Sequence, residues 1–126
     1  MSKVSQVSNK MLNSMKRLLS KKELQLEKRK RELKAEDPFA DPDRLNDNAA
    51  VDTEAAEQFG HERVTAINRE VDKMLIRVRK ALASIRLGKF GICEDCGKMI
   101  DTNRLAIDPT VQYCVKCAKK KITQSV

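Results

Sequence analysis

The fold of this chain is decided by residues 91–117, which read GICEDCGKMIDTNRLAIDPTVQYCVKC. All four cysteines of the chain lie in this stretch, as two pairs with two residues inside each pair and seventeen between the pairs. This C-x2-C-x17-C-x2-C spacing is typical of zinc sites. A gap of two residues lets both sulfur atoms of a pair reach the same ion. The sequence therefore predicts one structural zinc ion bound by Cys93, Cys96, Cys114 and Cys117.

Paired cysteines have two other common uses, as redox dithiols and as disulfides. A redox dithiol usually lies in a strand–helix–strand context, and no such pattern surrounds these pairs. Disulfides are rare in the cytoplasm, which is the expected compartment because residues 1–15 show no apolar signal segment. Four cysteine ligands leave no open position for water or substrate, so the pattern argues against metal catalysis and against an enzyme.

The composition favours long, exposed helices over a large core. Among 126 residues, 35% are charged and 40% hydrophobic, with three Phe, one Tyr and no Trp. Such a mixture is typical of helical, surface-rich chains. No stretch approaches the ~18 apolar residues that a membrane span needs. The expectation is a cytoplasmic protein with no membrane contact.

Charge is distributed in blocks along the chain. The net charge is +8, but residues 37–58 contain seven acidic residues and one arginine. Residues 1–36 and 59–92, on either side, are strongly basic. A uniformly basic chain would suggest simple coating of nucleic acid. An acidic segment between two basic arms instead favours contacts with a partner of mixed charge.

Two long helices are predicted before the cysteine module. The first runs from about Ser5 to Glu36, where Asp37-Pro38 ends it because the residue before proline avoids the α region. The second runs from about Asn48 to Leu87, with Gly88 as a C-terminal cap. Its apolar seam has alternating spacings of three and four residues and consists of Val64, Ile67, Val71, Met74, Val78, Ala81 and Ile85.

These elements predict a mainly α fold. Its first part, residues 1–90, is expected to be a long antiparallel helical hairpin, or coiled coil, with an acidic tip around residues 37–52. Its second part, residues 91–126, is expected to be a small four-cysteine zinc finger whose short helix, Ala118 to Thr123, opens at Cys117. The short connector favours a hairpin within a monomer, and the alternative is an intermolecular coiled coil through the same seam.

This layout resembles the DksA/TraR family of C4-type zinc-finger transcription regulators. The resemblance is carried by Lys89-Phe90-Gly91-Ile92-Cys93-Glu94-Asp95-Cys96-Gly97, by Arg104-Leu105, by Asp108-Pro109-Thr110 and by Cys114-Val115-Lys116-Cys117. It covers about residues 45–120 in sequence, and over residues 1–40 it is architectural only.

The resemblance implies a partner and a mechanism. Members of this family bind RNA polymerase rather than promoter DNA, and they insert the coiled coil into the secondary channel of the enzyme. Acidic residues at the tip then approach the active-site region, and some members act together with guanosine tetraphosphate. The family's tip motif is commonly Asp-x-x-Asp-x-Ala, whereas this chain has one more residue between Asp43 and Asp47. The tip role is therefore assigned to Asp47, with Asp43 or Asp52 as the other candidates.

Simpler interpretations of the acidic tip and of His61 remain open. Aspartate is common in turns and helix caps, so any single tip carboxylate can be a solvated turn residue. His61 is the only histidine of the chain and lies beside Gly60 on the second helix. Without ligand-spaced partners it is interpreted as a surface or seam residue rather than as a metal ligand or a base.

The sequence suggests three candidate functions. The first is a transcription regulator that binds RNA polymerase through protein contacts, without sequence-specific DNA readout. The second is a nucleic-acid-binding zinc protein, suggested by the net charge and by the run Lys119-Lys120-Lys121, although aromatic stacking residues are scarce. The third is a coiled-coil adaptor with a structural zinc cap.

Overall fold

The computed structural model of the chain describes residues 7–40 and 51–124. These ranges contain four α-helices and one short 3-10 turn: α1 (Asn9–Glu36), the turn (Pro38–Ala40), α2 (Val51–Arg86), α3 (Thr102–Ile107) and α4 (Val115–Gln124). The described ranges contain no strand, only an isolated antiparallel bridge between Ile92 and Met99. The prediction of a mainly α fold with a long helix pair is therefore confirmed. No helix in these ranges has the length and apolarity needed to cross a bilayer.

The tip residues are described only in part. Asp43 and Asp47 lie outside the described residues. Asp52 belongs to the first turn of α2, but its side chain also lies outside the described set. The assignment of a tip role to these three carboxylates therefore stays a prediction.

The ends of the helices follow from local chemistry. The Ser8 hydroxyl accepts a hydrogen bond from the Met11 N–H at 3.2 Å, which caps α1. The helix therefore begins at Asn9, later than the predicted Ser5. At the end of α2, the Lys89 N–H donates to the Ser84 carbonyl at 2.8 Å, and Gly88 adopts a φ of 72°. This is a Schellman cap, and it confirms Gly88 as the residue that terminates the helix.

The described residues form two compact units. The hairpin unit, Leu24–Ile76, holds the second half of α1 against the part of α2 that ends at Ile76. Its core consists of Leu33, Val64, Val71 and Leu75, with Leu26 and Ile67 packed against it. Ion pairs from Lys30 to Asp72 at 2.6 Å and from Arg63 to Glu36 at 3.6 Å run between antiparallel segments of one chain.

The seam predicted on α2 is largely buried, with one addition. Val64, Val71 and Val78 are buried, as the heptad pattern predicts. Leu75, which the pattern did not include, is also buried, whereas its neighbour Met74 is only half-buried. A straight α-helix turns slightly less per heptad than a strict repeat requires, so the buried stripe includes the adjacent position.

The finger unit contains the described residues before Leu24 and those after Ile76. Glu23 and Arg79, one on each long helix, form an ion pair at 3.2 Å in this unit. The buried side chains come from both helices and from the cysteine module: Val7, Met15, Leu19, Val78, Ala81, Phe90, Cys93, Ile100, Leu105, Thr110 and Cys117. The module thus belongs to the same compact unit as the helix segments on either side of the hairpin unit.

Two leucines of α1 provide a test of the hairpin core. Leu33 is 1% exposed and Leu24 is 66% exposed. We expect Leu33→Ala to lower the free energy of unfolding by about 2–5 kcal/mol, because it removes buried surface and leaves a cavity. Leu24→Ala makes the same chemical change at an exposed position and is the matched control. Urea unfolding followed by circular dichroism measures both, and equal effects would contradict the assigned core.

Candidate metal centre

The first cysteine pair lies in a tight turn stabilised by backbone hydrogen bonds. The Cys93 N–H donates to the Lys98 carbonyl at 2.8 Å, and the Gly97 N–H donates to the Cys93 carbonyl at 3.0 Å. Gly97 has a φ of 74°, a conformation that glycine adopts without the strain of a Cβ atom. Beyond the turn, the bridge between Ile92 and Met99 brings the two flanking segments together. This turn directs Cys93 and Cys96 toward the same point.

The second pair lies at the start of α4. That helix runs from Val115 to Gln124, so Cys114 immediately precedes it and Cys117 lies in its first turn. The predicted helix, Ala118 to Thr123 opening at Cys117, was therefore wrong about the start by one turn. Cys114 occupies the position that the helix N-terminus favours for a negative group.

The four sulfur atoms converge. Their Sγ atoms all lie within 4.8 Å of one another, and Cys96 Sγ is 3.8 Å from Cys114 Sγ. Four sulfurs at ~2.3 Å from a tetrahedral zinc ion would be about 3.8 Å apart. All four thiols are free, with no disulfide among them. The cluster thus brings together the four residues predicted from the sequence, in a geometry that fits a tetrahedral ion.

Backbone N–H groups favour the ionised form of two of the four thiols, Cys93 and Cys114. Burial raises the pKa of Cys93, but hydrogen bonds from the N–H groups of Cys96, Cys114 and Asp95 outweigh it and lower the pKa to about 6. The N–H of Cys117 lowers the pKa of Cys114. The pKa of Cys117 is raised, mainly because its thiol is hydrogen-bonded to Cys114. Four thiolates this close repel one another, so a divalent cation is needed to hold them all ionised.

Ion pairs connect the module to α2 within the finger unit. Arg77 contacts the Asp108 carboxylate at 3.6 Å, and Lys80 contacts Glu94 at 3.1 Å. Glu94 immediately follows the first zinc-site cysteine, so Lys80 connects α2 to the metal loop. In the same unit, Phe90 and Leu105 are almost fully buried. The module is therefore held on the helix by apolar packing and by two exposed ion pairs.

Thr110 is a structural residue that sequence reasoning noted only as part of the Asp108-Pro109-Thr110 resemblance. Its side chain is 3% exposed, and its hydroxyl and backbone N–H both donate to one oxygen of Asp108, at 2.6 and 3.0 Å. Burial raises the pKa of Asp108, but these two bonds and the nearby Arg77 outweigh it and lower the pKa. The stabilisation from this carboxylate is therefore complete above the ordinary aspartate pKa, and it is lost as the pH falls through the lowered value.

The family comparison matches the same residues. Residues 88–121 fit the model of the prokaryotic dksA/traR C4-type zinc finger, a range that includes all four cysteines and the Asp108–Thr110 turn. Residues 88–121 are thus similar to the DksA/TraR zinc finger, in agreement with the resemblance predicted from the sequence. The match to a C4-type zinc finger and the four converging sulfur atoms support one structural zinc ion, as the cysteine spacing predicts.

Relatives and a solved structure extend the comparison. An uncharacterized protein of Aquifex aeolicus is 48% identical over 40 residues, which is 32% of this chain and 28% of that protein. The RNA polymerase-binding transcription factor DksA of Escherichia coli K12, and the factor of the same name from Salmonella typhimurium, are each 37% identical over 51 residues, 40% of this chain and 34% of the relative. The matched segment thus spans about a third of these curated relatives.

The fold has a counterpart among solved structures. The transcription factor DksA2 from Pseudomonas aeruginosa superimposes with a TM-score of 0.74, covering 94% of this chain and 88% of that one. Identity over this match is 18%, so the comparison shows a shared fold and no more. In this chain the finger matched by the family model follows directly on the long helix pair.

Zinc content gives a direct test of the metal centre. We expect elemental analysis to find one zinc ion per chain, and Cys96→Ser to lose the metal and the tertiary structure of the finger unit. Asp95→Ser changes the adjacent exposed residue, which supplies only a backbone N–H to the cluster, and it should keep the ion. A Cys96→Ser protein that retains one zinc ion and native finger signals by NMR would contradict the site.

The Thr110 hydroxyl should stabilise the finger measurably. Thr110→Val keeps the shape of the side chain but removes a buried donor to Asp108, so we expect a loss of about 1 kcal/mol in the free energy of unfolding at pH 7. In an Asp108→Ala background the same change should cost less, since the acceptor is already gone. Thr102→Val, at an exposed threonine of α3, is the control. Urea unfolding of the zinc-loaded proteins measures the cycle, and additive costs would count against the bond.

Proposed function

We propose that this chain is an RNA polymerase-binding transcription factor. The observation that carries the proposal is the DksA/TraR zinc finger at residues 88–121, next to a long helix pair with the fold of DksA2. Two of the curated relatives, from Salmonella typhimurium and Escherichia coli, are named RNA polymerase-binding transcription factors. In this reading the chain is not an enzyme and acts as a monomer in the cytoplasm, through contacts with protein.

The zinc ion has a structural role in this proposal. Cys93, Cys96, Cys114 and Cys117 are its four ligands, and together they complete its coordination sphere. The ion then offers no position to a substrate or an attacking water molecule. Any effect on catalysis must therefore come from residues that reach the active site of the partner enzyme. Residues 91–126 would form the zinc-finger part and residues 1–90 the part that reaches the partner.

The acidic connector, residues 37–52, supplies the carboxylates for that effect. In the hairpin unit the segments of α1 and α2 are antiparallel, since Lys30 pairs with Asp72 and Glu36 pairs with Arg63. We place Asp47, and with it Asp43 or Asp52, at the tip of a coiled coil that enters the secondary channel of the polymerase. Carboxylates there can interact with basic groups or with Mg²⁺ near the active site.

Direct binding to nucleic acid is the second candidate, and α4 is the observation that favours it. This helix carries four lysines and no acidic residue, and Lys116, Lys119 and Lys120 are exposed. A basic helix of this kind can contact phosphates without reading bases. The same lysines can equally meet an acidic protein surface, so salt dependence of DNA affinity must separate the two functions.

A guanosine tetraphosphate-type effector belongs to the proposal as an expectation from the family. The finger unit contains a cleft of about 360 Å³ lined in part by Arg77, Lys80 and Lys89. Arg77 and Lys80 are already paired with Asp108 and Glu94. The cleft therefore does not concentrate positive charge, and any effector should bind the complex with polymerase more tightly than it binds the chain alone.

Binding to polymerase tests the proposed function. We expect zinc-loaded protein to bind the core RNA polymerase of its own host with submicromolar affinity, and Asp47→Asn to bind equally well while losing the effect on transcription initiation. Asp95→Asn makes the same chemical change on the exposed surface of the finger and is the control. Absence of polymerase binding, with salt-dependent binding to duplex DNA instead, would replace this function with the second candidate.

A further inference from the structure

The first residues of the acidic connector are attached to α2. Asp37 follows the end of α1, and both of its carboxylate oxygens lie 3.0 Å from Nδ1 of His61. The Phe39 N–H donates to Oδ1 of the same carboxylate, also at 3.0 Å. One aspartate thus joins the end of α1, the 3-10 turn and α2 within the hairpin unit.

Ring stacking, close packing and one further hydrogen bond accompany this attachment. The rings of Phe39 and His61 have their centroids 4.5 Å apart and are tilted by 36°. Beside them Pro38 lies so close to Gly60 that a Cβ atom on the glycine would be 2.9 Å from Cγ of the proline. Thr65 donates its hydroxyl hydrogen to the His61 carbonyl at 2.9 Å. We call Asp37, Pro38 and Phe39, together with Gly60 and His61, the clasp.

The protonation of the clasp follows from its chemistry. The hydrogen bond from His61 is the largest effect on Asp37, and the pKa of this carboxyl is lowered. The carboxylate is therefore ionised at neutral pH and can only accept hydrogen bonds. Nδ1 of His61 must carry the proton that it donates, whether the ring is neutral or charged. Other charged side chains at this end of the unit include Lys30, Arg31 and Lys34, which line the same cleft as Asp37, and Glu36, which pairs with Arg29 and Arg63.

The helix pair does not need the clasp to stay together. The core of the hairpin unit is formed by Leu33, Val64, Val71 and Leu75, whereas the clasp begins after α1 has ended. The clasp side chains are partly exposed, with 37% of His61 and 20% of Asp37 accessible to solvent. Exposed ion pairs contribute little to global stability. The clasp instead determines the position of residues 37–39 beside α2.

We propose that Asp37 and His61 are positioning residues, which hold residues 37–40 against α2, and that the proposed action of the tip carboxylates on the partner depends on this attachment. This inference rests on the proposed function, because the tip acts on a partner enzyme. It also explains why a glycine and the single histidine of the chain occur side by side in a long helix. Gly60 leaves room for Pro38, and His61 supplies the donor for Asp37.

The test compares two substitutions of His61 that differ in one hydrogen-bond donor. His61→Phe keeps a ring beside Phe39 but has no donor, whereas the amide nitrogen of His61→Asn can replace Nδ1. We expect both variants to fold, to bind one zinc ion and to bind polymerase as the parent does. His61→Phe should lose the effect on transcription initiation severalfold, and His61→Asn should restore it.

A second readout needs no polymerase. In NMR spectra of the free protein, His61→Phe should shift the amide signals of Phe39 and of residues 41–50, while signals from Val64 to Leu75 stay in place. Gly60→Ala, which crowds Pro38 without removing the Asp37 bond, should shift the same connector signals. If the parent protein fails to bind polymerase, the proposed function falls and these spectra still judge the clasp.

Two results would overturn the inference. One is a His61→Phe protein whose connector signals and transcription effect both match the parent. The other is an equal loss of the transcription effect in His61→Phe and His61→Asn, since the donor would then be irrelevant. Recovery in His61→Asn, by contrast, supports positioning through the hydrogen bond, because a packing role would not distinguish an amide nitrogen from a ring carbon.

Discussion

Convergence of four sulfur atoms is the constraint on which the finger unit depends. Thiolates this close repel one another, so their arrangement holds only with a divalent cation at the centre. The two helices that the module adds, α3 and α4, have six and ten residues and are too short to be stable alone. The buried side chains that the module contributes are few, chiefly Phe90, Ile100 and Leu105. Metal binding and folding of the finger are therefore one process.

The same constraint affects the ion pairs between the module and α2. The loop around the first cysteine pair carries Glu94, and the turn before the second pair carries Asp108. Both carboxylates pair with cations of α2, Lys80 and Arg77, so the metal-ordered loops present fixed partners to the helix. A loop without the ion would lose that fixed geometry, and exposed ion pairs are worth little when their partners must first be ordered.

Sequence reasoning recovered what depends on spacing, and it failed where three-dimensional context decides. Cysteine spacing predicted the zinc ion, because two residues inside each pair are enough to indicate a shared ligand. The heptad pattern predicted the buried valines of α2, because helical periodicity determines which residues share a face. The start of α4 was wrong by one turn, since the pattern does not show which cysteine precedes the helix. The burial of Leu75 was missed for a related reason, because the seam drifts on a straight helix. The partnership of Asp37 with His61 spans 24 residues, and no local signal predicts it.

Polar pairs and apolar cores have different roles in the hairpin unit. Burying a carboxylate costs more than an ion pair returns, so acidic residues that must meet a partner stay at the surface and add little to stability. Such residues need another way to be held in place. A partly exposed pair such as Asp37 and His61, together with the contacts of Pro38 and Phe39, favours one path for residues 37–40 by as much free energy as these contacts contribute. The apolar core at Leu33 and the valines of α2 then supplies most of the stability, while the clasp holds residues 37–39 beside α2.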